Sequence, residues 1–283
     1  MYQTEKNIFN LLKQATELLK SNNIQEAQLD AEILLCDILK ISRSKLYTLR
    51  KETITEEQYQ KYKDYLKRRI AREPVGYIIG NSEFMGLNFK VNSNVLIPRQ
   101  ETELIVEHTN KLIKEINAKK ILDLCTGSGC IAVSVAYYND NICVTASDIS
   151  KSALEVAKYN ATINNVSNKI NFVESDMFNK IIDEKFDIII SNPPYVKSDE
   201  YKGLEKEIFF EPKIAFLADD DGLTFYRIIA QKAKQYLNSK GILLLELNSN
   251  ISLKVADLFN NFCSVNIIKD YSGLDRILIA QNG

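Results

Sequence analysis

Asn192, Pro193, Pro194 and Tyr195 follow directly on the apolar run Phe186-Asp187-Ile188-Ile189-Ile190-Ser191. A tight turn uses at most one proline, at its second position. Two in succession fix φ twice and remove two backbone N–H donors. What remains is stiff and rich in acceptors: backbone carbonyls and the Asn192 side-chain oxygen. At the end of a strand, such a segment reads as a rigid grip rather than a simple reversal of the chain.

A second group lies upstream. "ILDLCTGSGCIA", residues 121–132, sets a buried strand, then Thr126-Gly127-Ser128-Gly129, then a helix start. This is where a doubly wound sheet holds an anionic or polar cofactor. Gly127 and Gly129 lack Cβ atoms, so the backbone can turn sharply and lie against a ligand. The strand expected at 142–147 ends at Asp148, placed to accept hydrogen bonds from ribose hydroxyls. Gly127-x-Gly129-x-x-Ala132 also fits the dinucleotide fingerprint, so a nicotinamide-dependent oxidoreductase is a competing reading. Asp176 in "VESDMF" and the Asn-Pro-Pro-Tyr segment weigh against it.

These groups need a scaffold. From Lys120 onward, strands are expected at 120–124, 142–147, 170–174, 186–191, 241–247, 264–269 and 276–281. Helices are expected at 129–138, 151–164, 222–238 and 251–260. That alternation predicts an α/β fold, a mainly parallel sheet covered on both faces. Only "KDYSGLD" separates the last two strands, too short for a helical crossover, so they should pair antiparallel. A helix of about 14 residues should follow Pro98.

The N-terminal part differs. Ile8, Leu11, Leu12, Ala15, Leu18 and Leu19 repeat at helical spacing, and Ala31, Leu34, Leu35, Ile38 and Leu39 mark a second helix. Thr55-Glu56-Glu57-Gln58 is a capping-box pattern for a third, running to Arg72 and stopping before Pro74. Residues 74–97 hold short β-rich pieces punctuated by Gly80, Gly86 and Asn92-Ser93-Asn94, as in a hairpin. The expected organisation is therefore a helical domain at 1–73, a hairpin linker at 74–97 and an α/β domain at 98–283.

Composition bounds the function. The 283 residues carry 36 Lys and Arg against 37 Asp and Glu, so no global basic field attracts nucleic acid. No apolar run nears the ~20 residues that span a bilayer. "MYQTEKNIF" lacks the apolar core of a signal peptide. Five cysteines without a C-x-x-C pattern and the single His108, read as a surface or packing residue, argue against a disulfide framework or zinc site and fit a reducing cytoplasm.

Taken together, these segments resemble the class I S-adenosylmethionine-dependent methyltransferases, and more closely the release factor glutamine methyltransferase (HemK/PrmC) family. The resemblance rests on "EPVGYIIGNSEFMGLNFKV", "VLIPRQETE", "ILDLCTGSGCIAV", "ASDIS", "SNPPYV", "FEPKIAF" with "DGL", and "DYSGLDRILIA". "NPPY" alone is shared with adenine and other amino-group methyltransferases; its combination with "LIPRQETE" is far more specific. The resemblance implies a Rossmann-like seven-stranded sheet with an N-terminal helical substrate-recognition domain. It also implies transfer of a methyl group from S-adenosylmethionine, without a metal, to the glutamine of a release factor's Gly-Gly-Gln motif. A cytoplasmic monomer that binds neither nucleic acid nor membrane is expected. A ribosomal-protein glutamine, an adenine in DNA, and a non-enzymatic S-adenosylmethionine-binding adaptor are the competing readings.

Residue by residue, the resemblance assigns cofactor contacts to Cys125, Thr126, Gly127, Ser128, Gly129, Asp148, Met177 and Asn192. The substrate grip falls on Asn192, Pro193, Pro194 and Tyr195. Arg99 and Glu101 to Glu103 are implied at the methionine end of the pocket, with a plain helix-entry role as the alternative. Cys125 stands where the family's first glycine is usual, and a thiol fits there if the backbone does not need positive φ. Cys125 and Cys130 read as small buried thiols, or as a redox pair.

Overall fold

The computed structural model describes residues 7–219 and 221–283. Residues 1–6, which open the expected helical domain and include most of the polar N-terminal stretch, lie outside the described residues, as does Asp220. The chain forms two compact units. One comprises the described residues up to Gly80 together with Glu205–Phe210; the other comprises Asn81–Leu204 and Glu211–Gly283.

The first unit holds α1 (Ile8–Ser21), α2 (Ala27–Leu39), α3 (Arg43–Thr48), α4 (Glu56–Ile70) and α5 (Val75–Ile79). α1 buries Ile8, Leu11, Ala15 and Leu19, the stripe expected from its spacing. The capping box forms: Gln58 N donates to Thr55 Oγ1 at 3.2 Å, and Thr55 N donates to Gln58 Oε1 at 2.9 Å. α4 stops at Ile70, and Arg72 takes a left-handed φ of 72°.

Two helices of this unit were not foreseen. α3 is short and capped by Ser42, too brief for a periodic signal. α5 replaces the first β-rich piece expected after residue 74; burial of Tyr77 and Ile78 overrides their strand propensity, and Gly80 at φ 73° ends the helix.

The six residues Glu205–Phe210 join this unit from far along the chain. Arg69 is 9% exposed; its Nε donates to Asp30 Oδ2 at 2.7 Å and its Nη1 to Glu207 Oε1 at 2.8 Å. Burial raises the Asp30 carboxyl pKa against the lowering effect of Arg69.

In the second unit, β1 (Asn81–Phe84) and β2 (Leu87–Lys90) form an antiparallel hairpin. Its two turn residues, Met85 and Gly86, both have positive φ, 52° and 69°, as a two-residue turn that follows strand twist requires. Then come α6 (Glu103–Ile116), β3 (Lys120–Leu124), α7 (Cys130–Tyr138), β4 (Cys143–Asp148), α8 (Lys151–Ile163), β5 (Ile170–Glu174) and β6 (Phe186–Ser191). The chain ends with α9 (Ser198–Tyr201), α10 (Thr224–Tyr236), β7 (Leu237–Glu246), α11 (Ser252–Asp257), β8 (Ser264–Lys269) and β9 (Asp275–Gln281).

The seven strands lie in the order β5-β4-β3-β6-β7-β9-β8. All pairings among β3 to β7 are parallel, whereas β9 runs against both β7 and β8. The final pair is antiparallel as expected, and β9 also inserts between β7 and β8. One apolar cluster joins the sheet to α6, α7 and α8, and another joins it to α10 and α11. From β3 the chain moves outward through β4 to β5, then returns to β6 on the other flank of β3. The crevice at that reversal is where open α/β sheets bind ligands.

The ion cluster generates a stability prediction. Replacing Arg69 by Met should leave the buried Asp30 without its cation, while the partly buried Glu207 keeps Arg72 Nη2 at 3.1 Å, and should lower stability by roughly 3 kcal/mol. Urea unfolding should report this loss; a midpoint matching the parent's would show that Arg69 does not hold the segment.

Candidate active site

Each of the five parallel strands delivers polar groups to one rim. In register, Leu124 faces Ser147 on one side and Ser191 on the other, Asp148 faces Glu174, and Ser191 faces Leu245. Cys125 to Ser128 after β3, Asp148 ending β4, Met177 after β5 and Asn192 after β6 therefore meet. A single cleft is lined by all of these and by Pro194. Gly129, Pro193 and Tyr195 do not line it.

The first loop is held by its backbone. Thr126 N donates to Ser147 O at 2.9 Å, and Gly129 N donates to Thr126 O at 2.8 Å. Asn160 on α8, fully buried, donates from Nδ2 to Ser128 O at 2.9 Å and to Lys90 O at 3.0 Å, tying loop and hairpin to one helix. Nothing in the sequence pattern marks Asn160.

The two glycines do different work. A Cβ on Gly127 (φ 56°), a residue of the cleft lining, would meet only Cys125 O, at 4.0 Å, and otherwise open space. A Cβ on Gly129 (φ 79°) would lie 3.0 Å from Ala157 Cβ and 3.2 Å from Ala157 Cα. Gly129 is thus needed for the close approach of α7 to α8, not to clear room for a ligand.

Cys125 corrects an expectation. Its φ is 60°, so the left-handed conformation that a thiol was expected to avoid is present. Holding a Cβ there costs about 1–2 kcal/mol. Packing offsets this, since Cys125 Sγ lies 3.7 Å from Met177 Sδ. Burial raises the thiol pKa of Cys125 far above its usual value and that of Cys130 to about 12. Both are protonated, unpaired thiols.

Asp148 accepts from Gly127 N and from Ser150 N, each at 2.8 Å and each on a different oxygen. Burial raises its pKa, while the backbone donors of Ser150, Gly127 and Ile149 pull it down. Asp123, fully buried behind the loop, accepts from Thr126 Oγ1 at 2.6 Å, and burial pushes its carboxyl to about 7. Met177 adopts φ 48°, with its carbonyl accepting from Ser175 Oγ at 2.8 Å.

Around the Asn-Pro-Pro-Tyr segment, Val196 N donates to Phe216 O at 2.8 Å and Ala218 N to Val196 O at 2.9 Å. Gly222, φ 74°, would place a Cβ 2.8 Å from Tyr195 O, so only glycine lets "DGL" pass there. Burial raises the Tyr195 hydroxyl to about 12, with Glu246 adding to the shift. Asn192 Nδ2 donates to Thr102 Oγ1 at 3.4 Å, and Thr102 Oγ1 donates to Glu246 Oε2 at 2.7 Å. Sequence reasoning missed Glu246; a carboxylate closing the apolar run "GILLLELN" was the available signal.

The "PRQETE" residues divide. Arg99 lines the cleft and pairs with the buried Glu211, which also accepts from Ile97 N at 2.9 Å. Thr102 lines it as well, but Glu101 and Glu103 do not. Glu103 instead accepts from Met85 N in the hairpin turn. His108 is partly buried on α6, away from the cleft lining. Among the described residues, no cluster of three or more His, Cys, Asp and Glu could hold a metal ion. The cleft carries Asp148 and Asp176 against one guanidinium, Arg99, itself paired with Glu211. That balance favours a cationic ligand over a pyrophosphate.

Two predictions follow from the loop. Gly127→Val should abolish S-adenosylmethionine binding by filling the cleft, whereas Gly129→Val should act first by prying α7 from α8. Calorimetric titration beside thermal melting separates the two; unchanged affinity in folded Gly127→Val would refute the placement. Cys125→Gly should stay within about 1 kcal/mol of the parent, because relieved strain offsets lost packing. Cys125→Val, β-branched at positive φ, should lose at least ~2 kcal/mol in denaturant unfolding.

Comparison with known proteins agrees with this architecture. The family described as PrmC N-terminal domain matches residues 10–80, and that described as methyltransferase small domain matches residues 100–226. The chain is 39% identical over 277 residues to the release factor glutamine methyltransferase of Fusobacterium nucleatum, covering 96% of this chain and 78% of that one. It is 38% identical over 277 residues to the enzyme of the same name from Clostridium acetobutylicum, covering 96% and 97%. The fold is shared with a 16S rRNA N2 G1207 methyltransferase of Thermus thermophilus solved with AdoMet and guanosine. The TM-score is 0.52 at 16% identity, over 72% of this chain and 50% of that one. The chain belongs to the release factor glutamine methyltransferase family.

Proposed function

We propose that this protein transfers a methyl group from S-adenosylmethionine to the side-chain amide nitrogen of the glutamine in the Gly-Gly-Gln motif of a peptide chain release factor. The observation that carries the reading is the position of Asn192. Its side chain lines the same cleft as the glycine loop and Asp148, and its Nδ2 is already engaged with Thr102.

The residues present fit the donor. Gly127 and Asp148 line the cleft together, and the carboxylate retains acceptor capacity for ribose hydroxyls beyond its two backbone donors. Cys125, Thr126, Ser128 and Met177 would complete the contacts, the last as a soft apolar surface. When bound, S-adenosylmethionine supplies a methyl carbon made electrophilic by its sulfonium.

The protein's own task is to prepare a poor nucleophile. An amide nitrogen has its lone pair delocalised into the carbonyl. Asn192 Oδ1, at the cleft, accepts one N–H of the target amide; the family resemblance gives the other N–H to the Pro193 carbonyl and the flat face to Tyr195, two residues beside the cleft rather than in its lining. Holding both hydrogens aims the nitrogen and opposes the planar, delocalised state. Alignment of this kind can remove roughly 7–11 kcal/mol of barrier at the upper end. The methylated nitrogen is strongly acidic and loses its proton to water, so no histidine base is required. Among the described residues, no helix is long and apolar enough to cross a membrane.

The test offers labelled S-adenosylmethionine with intact release factors and with ribosomal proteins, then locates the modified residue by mass spectrometry. Label on the Gly-Gly-Gln glutamine is expected; label only on a ribosomal protein would move the substrate assignment. Asn192→Ala should slow transfer a hundredfold or more, on the order of 3 kcal/mol, while cofactor affinity changes far less.

A further inference from the structure

We propose that Thr102 and Glu246 are positioning residues for methyl transfer, deciding through one directed hydrogen-bond chain which end of the Asn192 amide meets the substrate. The proposal rests on the reading of Asn192 given above.

The two ends of an asparagine amide are nearly the same shape, so packing alone does not choose between them. The chemistry does choose: the substrate amide needs an acceptor, and an outward NH2 would repel its N–H groups. Thr102 supplies the choice. Its hydroxyl has one proton, and Glu246 Oε2, 2.7 Å away, is a carboxylate oxygen with none to give. Thr102 must therefore donate to Glu246 and present a lone pair to Asn192. Only Nδ2 can answer that lone pair, which it does at 3.4 Å, and Oδ1 is turned the other way.

Neither partner is explained by stability. Glu246 is 3% exposed and follows Leu243, Leu244 and Leu245, all fully buried, where another aliphatic side chain would pack at no electrostatic cost. Thr102 sits in a single turn of 3-10 helix ahead of α6 and makes no side-chain cap to it. What the pair does supply is direction. The Tyr226 hydroxyl donates to Glu246 O at 2.8 Å, fixing the backbone from which the carboxylate projects.

The chain has a polarity that protonation can reverse. Glu246 is faced by Arg276 on β9, Arg99 and Glu101 ahead of α6, Tyr195 after β6, Tyr226 on α10 and Cys130 at the start of α7. Burial dominates these influences and pushes its carboxyl to about 7. Once protonated, Glu246 can donate to Thr102, freeing the threonine proton for Asn192 Oδ1 and turning the amide over. The ionised form, present above about pH 7, is the productive one, so the transfer rate should fall as pH drops through that value.

The experiment measures single-turnover transfer to the intact release factor between pH 6 and 8.5. It compares the wild type, Thr102→Val, Thr102→Ser, Glu246→Gln and the control Asn192→Ala. Thr102→Val, isosteric but without a hydroxyl, should be slower by about 30- to 100-fold, with S-adenosylmethionine affinity within about threefold. Thr102→Ser should restore most of the rate. Glu246→Gln can still accept from Thr102 but cannot titrate, so its acid limb should shrink to the part that Asp123, also near 7 behind the glycine loop, contributes. Wild-type rates in Thr102→Val alongside an inactive Asn192→Ala would overturn the relay and leave the function standing. An active Asn192→Ala would instead remove the reading on which the relay rests. Should Thr102→Val prove misfolded by circular dichroism, an acid limb in Glu246→Gln identical to the wild type's would overturn the proposal by itself.

Discussion

Parallel strands buried on both faces must settle the polar ends of their backbones at a common rim, and the site is a consequence of how this is done. Thr126 N reaches across to Ser147 O, the Ser191 hydroxyl donates to Leu124 O, and Ser175 N donates to Asp148 O. Each bond joins the end of one strand to its neighbour and fixes the direction in which the next loop departs. Those directions bring the glycine loop, Asp148, Met177 and Asn192 to one cleft. Loosening the rim would move all of them together, because none is held by its own loop alone.

Close approach is the second constraint, and it is met by small residues and by strain. Gly129 lets α7 lie against Ala157, and Gly222 lets the loop before α10 pass Tyr195 O. Cys125 and Met177 both carry side chains at positive φ and touch each other through their sulfur atoms. Residues held this way persist only where their surroundings over-determine them, and such positions gather at ligand sites. The two strained residues border the same cleft.

One chain segment contributes to both compact units. The stretch between β6 and α10 begins with Asn192 to Tyr195, contributes Glu205–Phe210 to the helical unit, then returns with Glu211, which holds Arg99 and Ile97 N. A single connection thus carries the Asn-Pro-Pro-Tyr segment, an ion-paired element of the first unit and one wall of the cleft. Its length, well beyond an ordinary strand-to-helix loop, is what a functional loop shows.

The sequence by itself determined the sheet, because strand and helix periodicities differ and the alternation from Lys120 onward leaves few topologies. It also determined which residues follow each strand, hence that the glycine loop, Asp148 and Asn192 would share a rim. Capping chemistry at Thr55 and Gln58 was equally legible, being local. Tertiary structure alone decided three matters. α5 formed because burial of Tyr77 and Ile78 outweighed their preference for strand. Gly129 and Gly127 look alike in the chain, yet only their surroundings separate a packing contact from an open cradle. Thr102, Asn192 and Glu246 are joined across 144 residues by register, since β6 and β7 end side by side and α6 begins above them. A hydrogen bond between residues that far apart leaves no periodic trace in the chain.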